Sequence, residues 1–425
     1  MPRIRPEEMP HPPSPGSLHD DHVIALLRSG AHAALLSAYF GEAEYRELSL
    51  LARLAATRRP RHEPTVWILP GIMGSKLGTI RDSMLDLLWL HPPAVAEGKL
   101  AQLALSDGEP ARPLSAVGVM LPGYLKMKLT LEVAGFHAEF HAFDWRRDLL
   151  ELGADLLADI ERAGEKQIML VCHSMGGLVA RAALALDRDR RIGRLIQIAA
   201  PNEGSFAPVQ ALRAVYPTVR KLAALDPRHS AEELAQRVFR TLPGLYQLLP
   251  SAQASPGHDL FDLAAWPRDG LVPDERLLAR AKHTRARLAA ADERCRVIVG
   301  TGQETVTSVT LRDGQFEYAS TLRGDGTVPV HCAEWPGAPT WYAHGGHGEL
   351  TNDDVVLAAV IDLLASGETA RLSRRRPAEN GAVRRVTDAE LRRQVADEVR
   401  WESLSLDARR RILDPVITPE FAAPA

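Results

Sequence analysis

The sequence predicts an α/β fold with a mainly parallel sheet, helices on both faces and two inserted segments. Short apolar runs typical of buried strands alternate with segments of helical periodicity, and this alternation requires right-handed crossovers between parallel strands. Helical periodicity is clearest over residues 146–164 and 178–186. The apolar runs lie at 65–71, 136–143, 167–172, 194–200, 296–302 and 339–344.

Two of the gaps between strands are too long for a simple crossover. Residues 206–293 contain several helical patterns and many prolines, and they predict a helical cap. Residues 78–118 predict a lid, which carries the apolar stretch MLDLLWL. We expect the sheet domain with both insertions to span 61–365, with a β-hairpin over 304–320.

The segment before this domain has two parts. Residues 1–18 are rich in proline and predict a disordered N-terminus. Residues 19–60 predict two helices, of which the first is continuous through residue 40 and is capped by Asp20 or Asp21.

The segment after the domain, residues 366–425, is rich in Arg and Glu and predicts a helical extension. Thr387 and Glu390 have the spacing of a capping box at its start. Leu391 and later apolar residues recur four positions apart, which suits packing on this protein or on a protein partner.

The composition excludes several classes of function. The net charge of −3 gives no attraction to nucleic acid, so no nucleic-acid partner is expected. No run approaches the ~18 apolar residues of a membrane span, and the N-terminus lacks the apolar core of a signal peptide. With only three cysteines, widely separated, the chain predicts a reduced, cytoplasmic protein. Without a Walker loop, a dinucleotide fingerprint or zinc-type spacing, neither a cofactor nor a metal is expected.

The stretch QIMLVCHSMGGLVARAAL, residues 167–184, places a serine between a strand and a helix. A tight turn there holds Ser174 in a strained conformation above the sheet, as in a nucleophile elbow. The strand and the helix pass close to the serine, so the residues that flank it must be small. Gly176 and Gly177 meet this requirement after Ser174, and Cys172, although larger than glycine, is a small residue before it. The simpler alternative is that Ser174 only caps the helix.

An acid and a base follow in the order that such an elbow requires. Asp325 lies in LRGDGTVPV, although Gly-Asp-Gly is also a common turn. Two histidines lie in the glycine-rich loop after the last strand, where a surface position is the ordinary alternative. We assign the base to His347, just before the closing helix, and keep His344 in reserve.

The stretch WILPGIMGSKL, residues 67–77, predicts an oxyanion hole. A backbone with so few side-chain atoms after the first strand can turn its N–H groups toward a substrate. We assign the donors to Ile72 and Met175, with Met73 as alternate; losing one such donor typically costs ~3 kcal/mol of transition-state stabilisation. An ordinary strand-to-loop turn is the alternative.

Other polar residues are candidates for the pocket around the serine. Asp144 and Arg146, in FDWRRD, could form its floor through a charge-assisted pair, but a structural clamp is favoured. Asn202 and Ser205, in AAPNEGS, are expected at the entrance, and His173 beside the nucleophile.

These segments resemble the lecithin:cholesterol acyltransferase family of α/β-hydrolases, which includes phospholipases. The resemblance spans residues 65–365 and implies the α/β-hydrolase fold, Ser174 as nucleophile, Asp325 as acid, His347 as base and an oxyanion donor after Gly71. It also implies a lid near the acyl site. Secreted relatives close that lid with a disulfide, whereas residues 1–171 contain no cysteine here. The matching segments are LPGIMGSKL, FDWRRD, CHSMGG, AAPNEGS, GDGTVP and HGEL.

We therefore expect a serine hydrolase or O-acyltransferase that acts on lipid-like acyl esters, with membrane contact through the lid. The apolar stretches at 84–90 and 242–250 favour a long acyl chain, or equally they bury against each other as core. The alternatives are a small-molecule esterase and a non-catalytic scaffold or effector regulated by a protein partner at the C-terminal extension.

Overall fold

The computed structural model describes residues 16, 18–58, 62–81, 84–106, 109–110, 113–378 and 382–394. Its helices are α1 Asp20–Ser29, α2 Ala33–Phe40, α3 Glu42–Ala56, α4 Pro92–Ala96, α5 Leu121–Ala134, α6 Leu149–Ala163, α7 Met175–Leu184, α8 Ala207–Leu212, α9 Pro217–Leu225, α10 Ala231–Arg237, α11 Pro243–Tyr246, α12 Glu275–Arg285, α13 Val330–Ala333, α14 Asp354–Ser366 and α15 Asp388–Gln394. Its strands are β1 His62–Leu69, β2 Ser75–Arg81, β3 Met84–Trp89, β4 Leu105–Ser106, β5 Glu109–Pro110, β6 Ser115–Val119, β7 Phe136–Phe140, β8 Ile168–His173, β9 Ile192–Ile198, β10 Cys295–Thr301, β11 Thr305–Arg312, β12 Gln315–Thr321, β13 Thr340–His344 and β14 Arg384–Thr387.

Six parallel strands form the central sheet in the order β13-β10-β9-β8-β1-β7. Successive residues of a strand enter opposite cores, because side chains alternate across a sheet. Leu170 and Cys172 of β8 pack with α6 and α7, whereas Val171 packs with α1, α3, α5 and α14. The predicted parallel sheet with helices on both faces is confirmed.

The segment predicted as a lid folds mainly as a small antiparallel sheet, in the order β3-β2-β6. Its apolar stretch forms β3, and Leu87, Leu88, Trp89 and Leu90 are all buried. The indole N–H of Trp89 donates to the carbonyl of Met73 at 2.8 Å. These side chains therefore pack inside the protein.

The segment predicted as a cap contains α8 to α12, between β9 and β10. Three of these helices have proline as their first or second residue, where the N–H that proline lacks would have no partner within the helix. The cap side chains belong to the same apolar core as α6 and α7. The cap therefore stands over one face of the central sheet.

The N-terminal helices differ from the prediction in one respect. The helix expected to continue through residue 40 is broken at Gly30, which has φ 77° and ends α1 by donating to the carbonyl of Leu26. Asp20 and Asp21 lie in the first turn of α1 and do not cap it. Leu18 is buried, whereas residues 1–15 and 17 of the segment predicted to be disordered lie outside the described residues.

The start of the C-terminal extension packs on the domain. Strands β11 and β12 form the predicted hairpin, which is therefore confirmed. Strand β14 pairs with β12 of this hairpin. Thr387 and Glu390 form the predicted capping box, and Leu391 is buried. Beyond residue 394 the predicted extension lies outside the described residues. Among the helices that the structure does describe, none is long and apolar enough to span a bilayer.

Candidate active site

Ser174 stands on the turn between β8 and α7 with φ 52° and ψ −124°, a backbone conformation that is strained for a residue with a side chain. Its side chain makes no capping bond to α7, so it does not serve as a helix cap. A Cβ on Gly176 would lie 2.5 Å from the carbonyl oxygen of Pro70, and one on Gly177 would lie 2.6 Å from the Cβ of Ala200. Both positions therefore require glycine.

The structure brings Ser174, His347 and Asp325 together although they are far apart in sequence. The hydroxyl of Ser174 donates to Nε2 of His347 at 2.9 Å. On the other side of the ring, Nδ1–H of His347 donates to Oδ2 of Asp325 at 2.8 Å. All three side chains are almost fully buried, so bulk water does not compete for these bonds.

Asp325 is held by its own loop as well as by the histidine. Its Oδ1 accepts from the backbone N–H groups of Thr327 at 3.0 Å and Val328 at 2.7 Å, which is the turn that the sequence also suggested. Its backbone carbonyl accepts from the N–H of His347 at 2.7 Å. One loop therefore fixes both the carboxylate and the main chain of the histidine.

His344 does not take part in this arrangement. It lies at the end of β13, is exposed, and has its ring against Gly302, where an added Cβ would meet it at 2.3 Å. The histidine in contact with Ser174 is His347.

The three candidate oxyanion residues lie around Ser174. Met175 is the first residue of α7, so its N–H has no partner within the helix. Ile72 and Met73 line the same cavity as Ser174, and Met73 has a positive φ of 63°. The preceding Gly71 packs directly on the serine, since a Cβ there would lie 2.9 Å from the Cβ of Ser174.

His173 lies in this site as predicted, together with a residue that the sequence analysis did not single out. Its Nδ1 lies 2.9 Å from the hydroxyl of Tyr124, and its Nε2 lies 3.0 Å from the carbonyl oxygen of His347. Burial holds the pKa of His173 well below its ordinary value and raises that of Tyr124. Tyr124 follows Pro-Gly at the start of α5, and nothing in that pattern indicates a role.

A cavity that is partly open to solvent adjoins the serine. Its lining is apolar apart from a few hydroxyl groups and the two histidines, and no Lys, Arg, Asp or Glu lies among the described residues that form it. The cap supplies eight of the nineteen lining residues, and no described residue of 78–118 contributes. The lining residues from the cap are Ala207, Pro208, Ala211, Tyr216, Val219, Phe239, Leu245 and Leu248.

Asp144 and Arg146 form a buried bidentate pair with N–O distances of 2.8 and 2.6 Å. Neither residue lines the cavity. Arg146 also donates to the carbonyl of Leu103 at 3.2 Å, and its own carbonyl accepts from Gly244. The pair thus joins the first insertion to the cap, which is the structural role favoured from the sequence.

Asn202 and Ser205 have different surroundings. Asn202 is buried behind the cavity, where its amide donates to Gln197 at 2.7 Å and to the carbonyl of Ala333 at 2.9 Å. Ser205 lines the cavity and donates to the carbonyl of Thr327, two residues after Asp325. Both residues were predicted at the entrance of the pocket, and of the two only Ser205 lines the cavity.

A family model for the PGAP1-like alpha/beta domain matches residues 124–242, which include the elbow and the first part of the cap. No curated protein matches the chain. A chain in the crystal structure of the Tle4-Tli4 complex is similar at 16% identity, covering 74% of this chain and 100% of that chain, with a TM-score of 0.45.

Two further solved structures are similar. The mature lipase BlEst2 of Bacillus licheniformis has 12% identity over 72% of this chain and 94% of its own, with a TM-score of 0.38. The carboxylesterase CesB (YbfK) of Bacillus subtilis has 10% identity over 76% of this chain and 98% of its own, with a TM-score of 0.35. TM-scores below 0.5 are too low to carry an argument about the site.

The fold itself is clear from the chain. A parallel sheet covered on both faces, an elbow between β8 and α7, and a cap inserted after β9 are the parts of the α/β-hydrolase fold. The PGAP1-like match covers β7, β8, β9, the elbow and the first part of the cap. The protein has the α/β-hydrolase fold.

Proposed function

We propose that this protein is a serine carboxylic ester hydrolase for esters with an apolar, lipid-like acyl group. The observation that carries the proposal is the buried chain of hydrogen bonds from Ser174 through His347 to Asp325, beside an uncharged apolar cavity. Acyl transfer to serine requires a nucleophile that is hydrogen-bonded to a base, and a carboxylate that orients this base.

In the acylation step, Nε2 of His347 takes the proton of Ser174 as Oγ attacks the ester carbonyl carbon. Asp325 holds the imidazole in the tautomer that can accept this proton and stabilises the imidazolium that forms. The backbone N–H groups of Ile72 and Met175 donate to the oxyanion, with Met73 as the alternate donor. The imidazolium then protonates the leaving alkoxide, and the alcohol departs from an acyl-serine.

In the second step, His347 removes a proton from water as the water oxygen attacks the acyl carbon. The intermediate then releases the carboxylic acid, and the imidazolium returns its proton to Oγ of Ser174. An alcohol in place of water yields a new ester, so the same residues also support O-acyl transfer. The acceptor at the site decides between the two reactions.

The cavity supports the substrate class. Its walls offer apolar contacts and no cation, so they suit the hydrocarbon part of an ester and not a phosphate group. The segments that resemble the lecithin:cholesterol acyltransferase family contain the elbow, the acid and the base. A phospholipid would bind with its acyl chain in the cavity and its headgroup outside it.

Two alternatives make different predictions. A small-molecule esterase would prefer short soluble esters over long-chain ones. A non-catalytic scaffold, regulated by a protein partner at the C-terminal extension, would not react with an ester analogue at all. Rates with esters of different chain length distinguish a small-molecule esterase from the proposed enzyme. Covalent labelling distinguishes a non-catalytic scaffold from it.

The test is labelling with a long-chain fluorophosphonate, followed by intact mass and peptide mapping, on wild type and Ser174→Ala. We expect one adduct on Ser174 in the wild type and none in the variant. Turnover of p-nitrophenyl esters should fall by at least about 10³-fold in Ser174→Ala. Equal turnover in folded wild type and Ser174→Ala would refute the proposal.

A further inference from the structure

Two buried side chains in the site have no part in the steps described above. His173 directly precedes the nucleophile, and Tyr124 lies in the first turn of α5. Both line the cavity beside Ser174, and burial of a tyrosine and a histidine requires partners for their polar atoms. Those partners lie in the two loops that serve the reaction.

The two side chains form one continuous chain of hydrogen bonds. The N–H of Gly71 donates to the Tyr124 hydroxyl at 2.8 Å, and that hydroxyl lies 2.9 Å from Nδ1 of His173. At the other end, Nε2 of His173 lies 3.0 Å from the carbonyl oxygen of His347. A carbonyl can only accept, so Nε2 carries the proton. In the neutral ring Nδ1 then accepts from the tyrosine.

The neutral state of His173 follows from its surroundings. The ring is fully enclosed and lies 4.7 Å, between ring centroids, from that of His347. Burial lowers its pKa well below the ordinary value, and the nearby His347 ring lowers it further. A ring that stays neutral keeps this pattern of donors and acceptors when His347 gains its proton during the reaction.

The ends of the chain of bonds are the important feature. Gly71 is bonded directly to Ile72, the proposed oxyanion donor, and its own N–H is occupied by Tyr124. His347 is the proposed base. Its backbone N–H donates to the carbonyl of Asp325, and its backbone carbonyl accepts from His173. The oxyanion loop and the loop of the base are thus joined through two side chains.

We propose that His173 and Tyr124 are positioning residues that hold the oxyanion loop and the loop of His347 in a fixed relation around Ser174. The proposal rests on the ester hydrolase function proposed above. A displacement of about 1 Å at a reacting group can lower a rate by about 100-fold, so losing either link should affect the rate more than binding.

The two links predict different kinetic signatures. His347 must protonate an alkoxide leaving group, whereas p-nitrophenolate leaves without a proton. His173→Leu, which frees the loop of the base, should therefore lower kcat/KM more for ethyl octanoate than for p-nitrophenyl octanoate. Tyr124→Phe, which frees Gly71 in the oxyanion loop, should lower kcat/KM for both esters equally, because both develop the same oxyanion.

The experiment measures kcat and KM with both esters for wild type, His173→Leu, His173→Gln and Tyr124→Phe. For His173→Leu and Tyr124→Phe we expect losses of about 10- to 100-fold in kcat, with KM changed by less than threefold. His173→Gln retains an N–H donor near the position of Nε2 and should recover at least about tenfold over His173→Leu on ethyl octanoate. Tyr246→Phe removes another buried tyrosine hydroxyl, outside the cavity, and should match wild type.

A rate of Tyr124→Phe within twofold of wild type on both esters would overturn the positioning proposal, even if His173→Leu fails to fold. Inactivity of Ser174→Ala in the same assay would leave the ester hydrolase function intact in that case. Full activity of Ser174→Ala would instead refute the function, and the positioning proposal with it.

Discussion

Two apolar stretches of similar composition, residues 84–90 and 242–250, have different positions in the folded protein. In the first, Leu88 is buried in the core, away from the cavity. In the second, Leu245 and Leu248 line the cavity beside Ser174. Both stretches contact the region of Trp145: the Trp89 ring lies 5.3 Å from it, and Gly244 packs on its carbonyl.

The comparison shows that hydrophobicity alone does not decide which apolar stretch lines the cavity. The first stretch is a strand paired with β2, and this pairing directs its side chains into the core. The second includes the short helix α11 of the cap, where Gly244 packs against Met175 next to the elbow. The topological position of an insertion decides whether its apolar residues meet the substrate.

The largest effect expected from this comparison is on stability. Leu88→Ala removes fully packed core atoms and should lower the free energy of unfolding by about 3 kcal/mol, with kcat/KM per folded molecule unchanged. Leu248→Ala should cost less, because the side chain already faces empty space on one side. Urea unfolding of both variants tests this. A smaller loss for Leu88→Ala than for Leu248→Ala would contradict the comparison.

A buried cation next to the first stretch should show in the pH dependence of stability. Burial lowers the pKa of Lys76 in β2 from 10.5 to about 8, and its ammonium donates to the carbonyl of Leu18. Below pH 8 it is charged in both the folded and the unfolded chain, so the full penalty of burying the charge applies. Between pH 8 and 10.5 only the unfolded chain keeps the proton, so stability rises with pH.

The difference between these pKa values corresponds to about 3 kcal/mol. Lys76→Met removes the titration, so the stability of wild type relative to this variant should increase by about that amount across the window. Urea unfolding of both proteins at intervals from pH 7 to 10 measures it. A difference between the two proteins that does not change with pH would show that Lys76 keeps its ordinary pKa.

The second stretch should determine which ester is accepted. Leu248→Trp fills part of the cavity and should lower kcat/KM for a p-nitrophenyl ester of a long fatty acid by about 10- to 100-fold, with the acetate ester nearly unaffected. Leu186→Trp, at an exposed leucine, is the matched control and should match wild type with both esters. An equal loss on both esters would mean that Leu248 acts on the triad and not on the acyl chain.

The smallest effect concerns Cys172, which occupies the place of the first glycine in the usual elbow pattern. It lies in β8 opposite Leu69 and is fully buried. Cys172→Gly should lower stability by about 1 kcal/mol, because glycine weakens a strand and leaves a small void, and should keep most of the turnover. Thermal melting and ester turnover measure both effects. Loss of turnover in folded protein would show that the thiol has a role in the site.

Several parts of the fold were predictable because they depend on local pattern. The six runs predicted as parallel strands became β1, β7, β8, β9, β10 and β13, each within a few residues of the expected bounds. Alternation along a strand and periodicity along a helix are properties of the sequence itself. The break at Gly30 was missed because glycine within an apolar helical pattern is compatible with both continuation and ending.

The sequence by itself determined the strands and the elbow around Ser174, since each depends on residues adjacent in the chain. It also fixed the order in which Asp325 and His347 follow Ser174. Only the tertiary structure decided that His347 and not His344 contacts Ser174, because one loop turns the first inward and leaves the second exposed at the end of β13. It also decided the cavity wall and the place of Tyr124. Contacts between distant segments depend on how the sheet, cap and loops pack, and no local pattern encodes that packing.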